Sequence, residues 1–448
     1  MSEKLAHEKV LRDPIHKFIH IQDQLVLDLI NTPEFQRLRR VEQLGVTAFV
    51  FHGAVHDRFG HSVGAYELAR RITDYFNEYY RTKTPGDGLW DPEEQMLTVV
   101  AALLHDVGHG AFSHTFEHLF HTNHEQMTQD IITGDTEINR VLQSYSPDFP
   151  NKVASVIAKT YENHQVVQLI SSQLDVDRMD YLLRDAFYTG ATYGEFDIDR
   201  IMRTMKPCKT GIAYDIAGMH AVEDYIVSRY QMYLQVYFHP VSRGMEVILE
   251  HLLGRVKELL SQGHNTGDLV GPLLAPVFQP DHDLTIDEYL RLDDNLFMTA
   301  INGWQDYPDQ ILADLSSRFL NRRPFKSIQI NEQSAPYLAE LEQIVKDAGF
   351  DPEYYTAQND AYDLPYDDYK PSEKKPRTQI ELVLSDGSHR ELSQLSALVA
   401  SIKGRASLDQ RFFFPKEMLN NGPDDLFSQV HQNFRSLIKN DTFIPGEH

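Results

Sequence analysis

Residues 98–110, TVVAALLHDVGHG, decide how the rest of the chain is read. An apolar run of about two helical turns ends in His105-Asp106, and Gly108 and Gly110 follow as helix stops. Imidazole nitrogen and carboxylate oxygen are both good ligands for a divalent cation. Neighbouring residues on a helix point about 100° apart, so these two converge on one ion only if other elements close around it. Upstream, Arg58-Phe59-Gly60-His61 offers His61; downstream, Leu174-Asp175-Val176-Asp177-Arg178 offers Asp177. Two imidazoles and two carboxylates would leave coordination positions for water and substrate, which suits hydrolysis. An isolated His-Asp pair reads more readily as a capped or surface histidine. The specific signal is the ordered set His61, His105-Asp106, Asp177, with the pair behind an apolar run and ahead of Gly108-His109-Gly110.

Outward from this stretch, the 448 residues are 42% hydrophobic and 24% charged, as in an ordinary globular protein. No apolar run reaches the length of a membrane-spanning helix, and MSEKLAHEKV has no apolar signal core. Cys208 is the only cysteine, which leaves no disulfide framework and no Cys-type zinc site. These features predict a cytoplasmic protein with no membrane partner. A net charge of −24 makes nucleic acid an unlikely partner and disfavours a nuclease, because backbone affinity needs basic surface. A small anionic ligand would need Arg, Lys, His or a metal gathered locally. Of 21 histidines, His105, His109, His114, His118, His121 and His124 crowd one short region.

The spacing predicts a mainly α protein, a helical core with a smaller α+β C-terminal part. Helices are expected over 34–44, 65–81, 93–108, 149–161, 166–189 and 313–323, and over 220–260 with a kink at Pro240. Residues 206–218 read as a hairpin, 326–330 and 378–384 as strands, and 352–376 as an irregular connection. The expected division is an N-terminal segment 1–45, a catalytic core 46–262 and a C-terminal region 263–448.

Taken together, QLGVTAFVFHGAVHDRFGHS (43–62), LLHDVGHGAFSHTFEH (103–118), NHEQM (123–127) and LDVDRMDYLLRD (174–185) resemble the HD-domain metal-dependent phosphohydrolases. Within them the chain looks like the deoxynucleoside triphosphate triphosphohydrolases. It is nearest to short members from Gram-positive bacteria and similar to the catalytic core of the vertebrate members that carry a sterile-alpha-motif domain. The resemblance covers about residues 9–330 well. It implies His61, His105, Asp106 and Asp177 as ligands of a divalent metal, with Mg or Mn expected for activity and Zn, Ni or Fe as alternatives. It also implies cleavage between the α-phosphate and the 5′ oxygen of dNTP substrates.

Further residues gain roles from the same resemblance. Glu117 and His124 match an acid–base pair, and His109 and His114 match positions facing the scissile bond; a helix continued past His105 would put His109 on the same face. His118 and His121 read as solvated surface. Asp177, Tyr181, Arg184 and Asp185 share a helical face. The family uses the positions of Tyr181 and Asp185 to pack the pentose and accept its 3′-OH; on residues alone an Arg184–Asp180 pair with Tyr181 in the core fits equally well. Arg58, Arg178 and Arg229 match phosphate-contacting positions. Tyr237 and His239 also match, Tyr233 replaces a histidine of vertebrate members, and Gln43 and Leu44 match residues beside the base.

A second nucleotide site is implied, because this branch is activated by dGTP bound between subunits of a homotetramer. Lys9, Val10, Asn31, Gln36 and Arg39 match its guanine pocket, and Arg200, Arg322 and Lys326 its phosphate contacts. Asn31 departs from the Asp of vertebrate members, and on residues alone QRLRR reads as a solvated basic face. Two rival readings are a phosphohydrolase acting on monophosphates, cyclic nucleotides or alarmones, and a nucleotide-sensing protein with a residual centre.

Overall fold

Asp57, Asp91 and Asp175 each end a loop and start a helical segment by accepting a backbone N–H from two or three residues ahead: Gly60 at 2.8 Å, Glu93 at 3.0 Å and Arg178 at 2.8 Å. The helices Arg58–Tyr79, Gln95–Leu104 and Val176–Thr189 follow these starts, the second through a 3-10 turn at Pro92–Glu94. The computed structural model describes residues 3–280, 282–330, 337–363, 366, 379–403, 407–420, 428–439 and 442–443.

Gln95–Leu104 is buried at every position from Leu97 onward, as an apolar helix at the centre of a core must be. Arg58–Tyr79, Phe149–Ile157 and His164–Ile170 pack around it, and Val176–Thr189 packs on Arg58–Tyr79. That last approach depends on Gly64. A Cβ there would lie 1.9 Å from Asp180 Oδ1 and 2.4 Å from Arg184 Nη2. A second buried cluster joins Pro240–Ser261, Asp294–Trp304 and Gln310–Leu320 to Ala111, Phe112 and Phe116.

Among the described residues the strands form three small sheets. Met205–Cys208 and Gly211–Asp215 make the expected hairpin, extended by Glu381–Val383 and His389–Glu391. Lys326–Gln329 is the middle strand of a five-stranded sheet and pairs antiparallel with Ser407–Phe414. The fold is therefore mainly helical with its small sheets concentrated in the C-terminal part. Lys4–Asp13 and Lys17–Asp23 pair antiparallel as an N-terminal hairpin that the sequence reading did not anticipate. Ile19 and Ile21 are buried and alternate with half-exposed His20, a period of two that was there to be read.

Several expected helices differ. Residues 34–44 give only Pro33–Gln36 and a 3-10 turn Arg37–Arg40, because Arg37 is drawn inward and Glu42 bridges Asp57. Residues 166–189 split at Asp175, whose side chain caps the second helix. Residues 220–260 break rather than kink: Met219–Met232 passes through a π turn, Tyr233–Tyr237, and Pro240 starts a new helix. The helix over 65–81 begins earlier, at Arg58. In the stretch 352–376, Pro352–Tyr355 is helical and Ala357–Asp363 is a strand. The rest of that stretch, save Thr356 and Tyr366, lies outside the described residues.

Candidate active site

His105 stops its own helix. The helix ends at Leu104, and His105 Nδ1 donates to the Ala102 carbonyl at 2.7 Å. That bond leaves Nε2 facing His61 Nε2, 3.2 Å away. His61, fully buried in the first turns of Arg58–Tyr79, donates from Nδ1 to Asp180 Oδ2 at 2.8 Å. Its Nε2 thus also turns inward, 3.2 Å from Asp177 Oδ1 and 3.6 Å from Asp106 Oδ2. Asp177 Oδ1 is 3.5 Å from His105 Nε2, as is Asp106 Oδ1.

This donor set fits a divalent cation. One ligand atom each from His61, His105 and Asp177 lies within 4.8 Å of the others, and Asp106 borders the same point. Each imidazole has its outer nitrogen fixed by a hydrogen bond, as metal-ligating histidines require. The electrostatics agree. Burial would lower the His61 pKa, but Asp177, Asp180 and Asp106 outweigh it and push it up to about 10. His105 is raised in the same way by Asp106 and Asp177 against burial. A pocket that draws protons onto two facing imidazoles draws a cation as well, since proton and metal compete for the same lone pairs.

Asp106 is held by Arg58, Nη1 to Oδ2 at 2.5 Å, and Arg58 donates from Nη2 to Ser113 Oγ at 2.7 Å. Burial would raise the Asp106 pKa, but His109, His105 and Arg58 hold it well below the carboxylate range. His109 does not share a helical face with His105, because the helix has already ended. It reaches the set through Asp106 instead, Nε2 to Oδ1 at 3.3 Å, and stacks on His124 at 4.0 Å between centroids. His124 Nδ1 donates to Glu117 Oε1 at 2.6 Å. The two stacked rings are driven apart in protonation: burial and Arg58 push His109 well down, whereas Glu117 raises His124 against burial. His114 opens the helix His114–Phe120, but its side chain lies outside the described part of the structure.

On the far side of the ligand set, the Tyr181 ring lies 6.3 Å from His61 and 6.3 Å from Tyr237. Asp185, buried, accepts from Tyr237 Oη at 2.7 Å and from His56 Nε2 at 2.7 Å. His56 stacks on Tyr188 at 4.5 Å. Arg178 Nη1 meets Asp175 Oδ2 at 2.5 Å with its side chain about a third exposed. Arg229 is buried over the Tyr233 ring at 5.4 Å, and Tyr233 packs on Tyr237. Gln43 takes a backbone bond to His56, and its Oε1 is buried with no hydrogen-bond partner in the structure. Leu44 precedes a 3-10 turn in the same strip. His239 caps Pro240–Ser261 beside Phe51.

The residues implied for an effector fall in separate places. Lys9 and Val10 lie on the N-terminal hairpin, Val10 exposed; Asn31 ends the helix Gln24–Asn31. Arg39 donates to Gln36 Oε1 at 3.0 Å and lies 3.4 Å over Phe59. Arg200 bonds the Ala217 carbonyl, Arg322 the Phe49 carbonyl, and Lys326 opens a strand.

Sequence reasoning missed His16, His56, Ser113 and Asp180. Asp180 was within reach: it stands three residues after Asp177 on one helical face. His16 meets it at 2.6 Å from far along the chain, where spacing gives no signal.

Two family models match this chain, the HD domain over residues 58–185 and the HD-associated region over residues 196–267. The uncharacterized protein YwfO of Bacillus subtilis is 49% identical over 94% of this chain and 95% of its own. A phosphohydrolase of Bacteroides thetaiotaomicron superposes with a TM-score of 0.77 at 27% identity, over 92% of this chain and 100% of that one. The chain belongs to the HD-domain phosphohydrolases. The HD model spans every residue of the candidate metal-binding set, from His61 to Asp177. A more distant relative, the deoxynucleoside triphosphate triphosphohydrolase SAMHD1 homologue of Dictyostelium discoideum, is 31% identical over 54% of this chain and 48% of its own. Among the described residues no helix is long and apolar enough to cross a membrane.

Proposed function

We propose that this HD phosphohydrolase converts dNTPs to deoxynucleoside and inorganic triphosphate, and that dGTP at a second site in a homotetramer activates it. The observation that carries the substrate reading is the wall of Tyr181, Tyr237, Asp185 and His56 beside the ligand set, with three arginines around it. Tyr181 and Tyr237, set edge to face, form an aromatic corner against which a pentose can pack. Asp185 takes one donor on each oxygen from His56 and Tyr237, which leaves a second lone pair on each for the 3′-OH. The crowding of these rings against the sugar disfavours a 2′-OH. Arg58, Arg178 and Arg229 supply the positive charge that a triphosphate needs in an otherwise acidic protein. The N-termini of Arg58–Tyr79 and Val176–Thr189 also border the set, which favours an anion.

His61, His105, Asp106 and Asp177 would hold a divalent metal, which would supply Lewis acidity toward the α-phosphate and make water a better nucleophile. His109 and His124 handle the leaving group. Environments that drive two neighbouring groups apart in pKa mark an acid and its neutral partner. His124, kept charged by Glu117, holds the proton that the 5′ oxygen takes as its bond to phosphorus breaks; neutral His109, stacked on His124 and facing Asp106, packs beside that acid. The same three side chains have ligand atoms close enough to hold a second cation. Their stacked rings, 14° from parallel, aim their in-plane nitrogens alongside one another rather than at one point, which does not favour a shared cation.

The effector reading rests on the exposed positions of Lys9, Val10, Asn31 and Arg39 in the N-terminal segment, together with the family resemblance. The test is to compare dATP with ATP in Mg2+ or Mn2+, with and without dGTP, and to separate the products. Deoxyadenosine from dATP, little product from ATP and stimulation by dGTP support the proposal. Equal turnover of ATP and dATP rules out the sugar reading, and dAMP as product rules out the triphosphohydrolase.

A further inference from the structure

The turn from His105 to Ser113 carries Asp106 and His109 yet lies between two helices, Gln95–Leu104 and His114–Phe120. Phe112 and Ser113 both have φ of 52°, a left-handed conformation that neither residue type favours. Such backbone persists only where its surroundings hold it. Three side chains from outside the HD helices do so. Arg37, buried, donates to the carbonyls of His109 at 2.6 Å, Val107 at 3.4 Å and Leu292 at 3.0 Å. Tyr289 donates to the Gly108 carbonyl at 2.7 Å and lies under the Arg37 guanidinium. Asp294, buried, accepts the Phe112 N–H at 2.8 Å on one oxygen and the Glu42 N–H at 2.8 Å on the other. The hold on Phe112 passes to Ser113, from Ser113 to Arg58, and from Arg58 to Asp106.

We propose that Arg37 and Asp294 are positioning residues for the HD centre: they fix the backbone that aims Asp106 and His109, without touching any reacting atom. An apolar side chain of similar volume would fill the place of Arg37 with no charge to desolvate, but it could not tie three carbonyls together. The forked guanidinium can, and a lysine ammonium reaches fewer of them at once. Asp294 likewise sets two strands of backbone, the turn and the Glu42-Gln43 strip, at one separation. The proposal rests on the HD centre and not on the identity of the nucleotide.

The test uses the full chain and the variants Asp294→Asn, Arg37→Met and Arg37→Lys, with Arg40→Gln as control. Arg40 pairs with Asp293 across the same seam, 2.5 Å apart, but does not bond the turn. The readouts are kcat and KM for dATP, Mn2+ affinity by electron paramagnetic resonance, and thermal midpoint. We expect Asp294→Asn and Arg37→Met to lower kcat and weaken Mn2+ binding by about 10- to 100-fold with KM little changed. Arg37→Lys should recover part of both, and Arg40→Gln should move only the midpoint. Folded Asp294→Asn protein with wild-type kcat and Mn2+ affinity overturns the proposal. So does a loss that Arg40→Gln shares equally, which would make the seam a matter of stability alone. Should Arg37→Met not fold, Asp294→Asn, which keeps one of its two backbone bonds, decides. Should the wild type turn over no dNTP, the substrate reading fails, and the Mn2+ affinities still decide the positioning claim.

Discussion

Asp180 accepts four hydrogen bonds from three side chains, His16, His61 and Arg184, and so determines which nitrogen of His61 faces the other ligands. Asp180→Asn keeps the shape but offers one acceptor oxygen instead of two. Bound metal, titrated by calorimetry, should weaken by about 10- to 100-fold with the ligands themselves intact; unchanged affinity would mean that Asp180 serves packing only. His105→Ala or Asp106→Ala should remove both metal and hydrolysis while circular dichroism shows the fold retained. The proton pair makes a signed prediction about pH. Glu117 raises the His124 pKa against burial, so His124 stays charged to higher pH than it would alone. An acid role is lost as pH rises through that pKa, so Glu117→Gln should move the alkaline limb of the kcat profile to lower pH. A limb that stays in place would remove His124 from that role. At this scale the ordered set was legible because ligand types recur at recognisable positions. His16 and His56 were not, because their partners lie far away in sequence and only the fold brings them together.

Two glycines show how the elements fit. Gly64 lets Val176–Thr189 approach until Asp180 reaches His61. Gly108 sits against the start of the helix His124–Thr133, where a Cβ would lie 2.3 Å from Thr128 N and 2.5 Å from the His124 carbonyl. Those are backbone atoms, so Gly108→Ala must displace the helix that begins with His124. It should cost about 1–3 kcal/mol of stability by urea titration and lower kcat in the same variant, because His124 leaves His109. Full activity at wild-type stability would show that the approach is softer than the distances imply. Hydrophobic period located most helices, but not where they end. The helix before His105 stops where the imidazole takes the Ala102 carbonyl, and the 34–44 helix is cut short by Arg37 turning inward. Both are side-chain-to-backbone bonds, to which an apolar pattern is blind.

An acidic protein with a net charge of −24 must concentrate its cations if it is to take a triphosphate, as proposed, and near the HD centre Arg58, Arg178 and Arg229 offer that charge. The same argument applied to Lys9, Arg39, Arg200, Arg322 and Lys326 predicts that subunits bring them together around an anion. Light scattering with rising dGTP should show the mass of a tetramer as turnover of a second dNTP rises, and Arg39→Ala should blunt both while sparing metal binding. A fully active monomer indifferent to dGTP would remove the regulatory half of the account and leave the catalytic half standing. The whole-molecule class, a helical HD core with small C-terminal sheets, was legible from one apolar run and its His-Asp terminus; of the N-terminal hairpin only the inner strand carried a readable alternation, because the outer strand is almost wholly exposed. The central claim is water attack at the α-phosphorus with release of the 5′ oxygen, and hydrolysis of a dNTP in 18O-enriched water, followed by phosphorus NMR, tests it most directly. The account predicts inorganic triphosphate with one 18O on a terminal phosphorus and none in the deoxynucleoside; pyrophosphate with a labelled dNMP, or label in the deoxynucleoside, would contradict it.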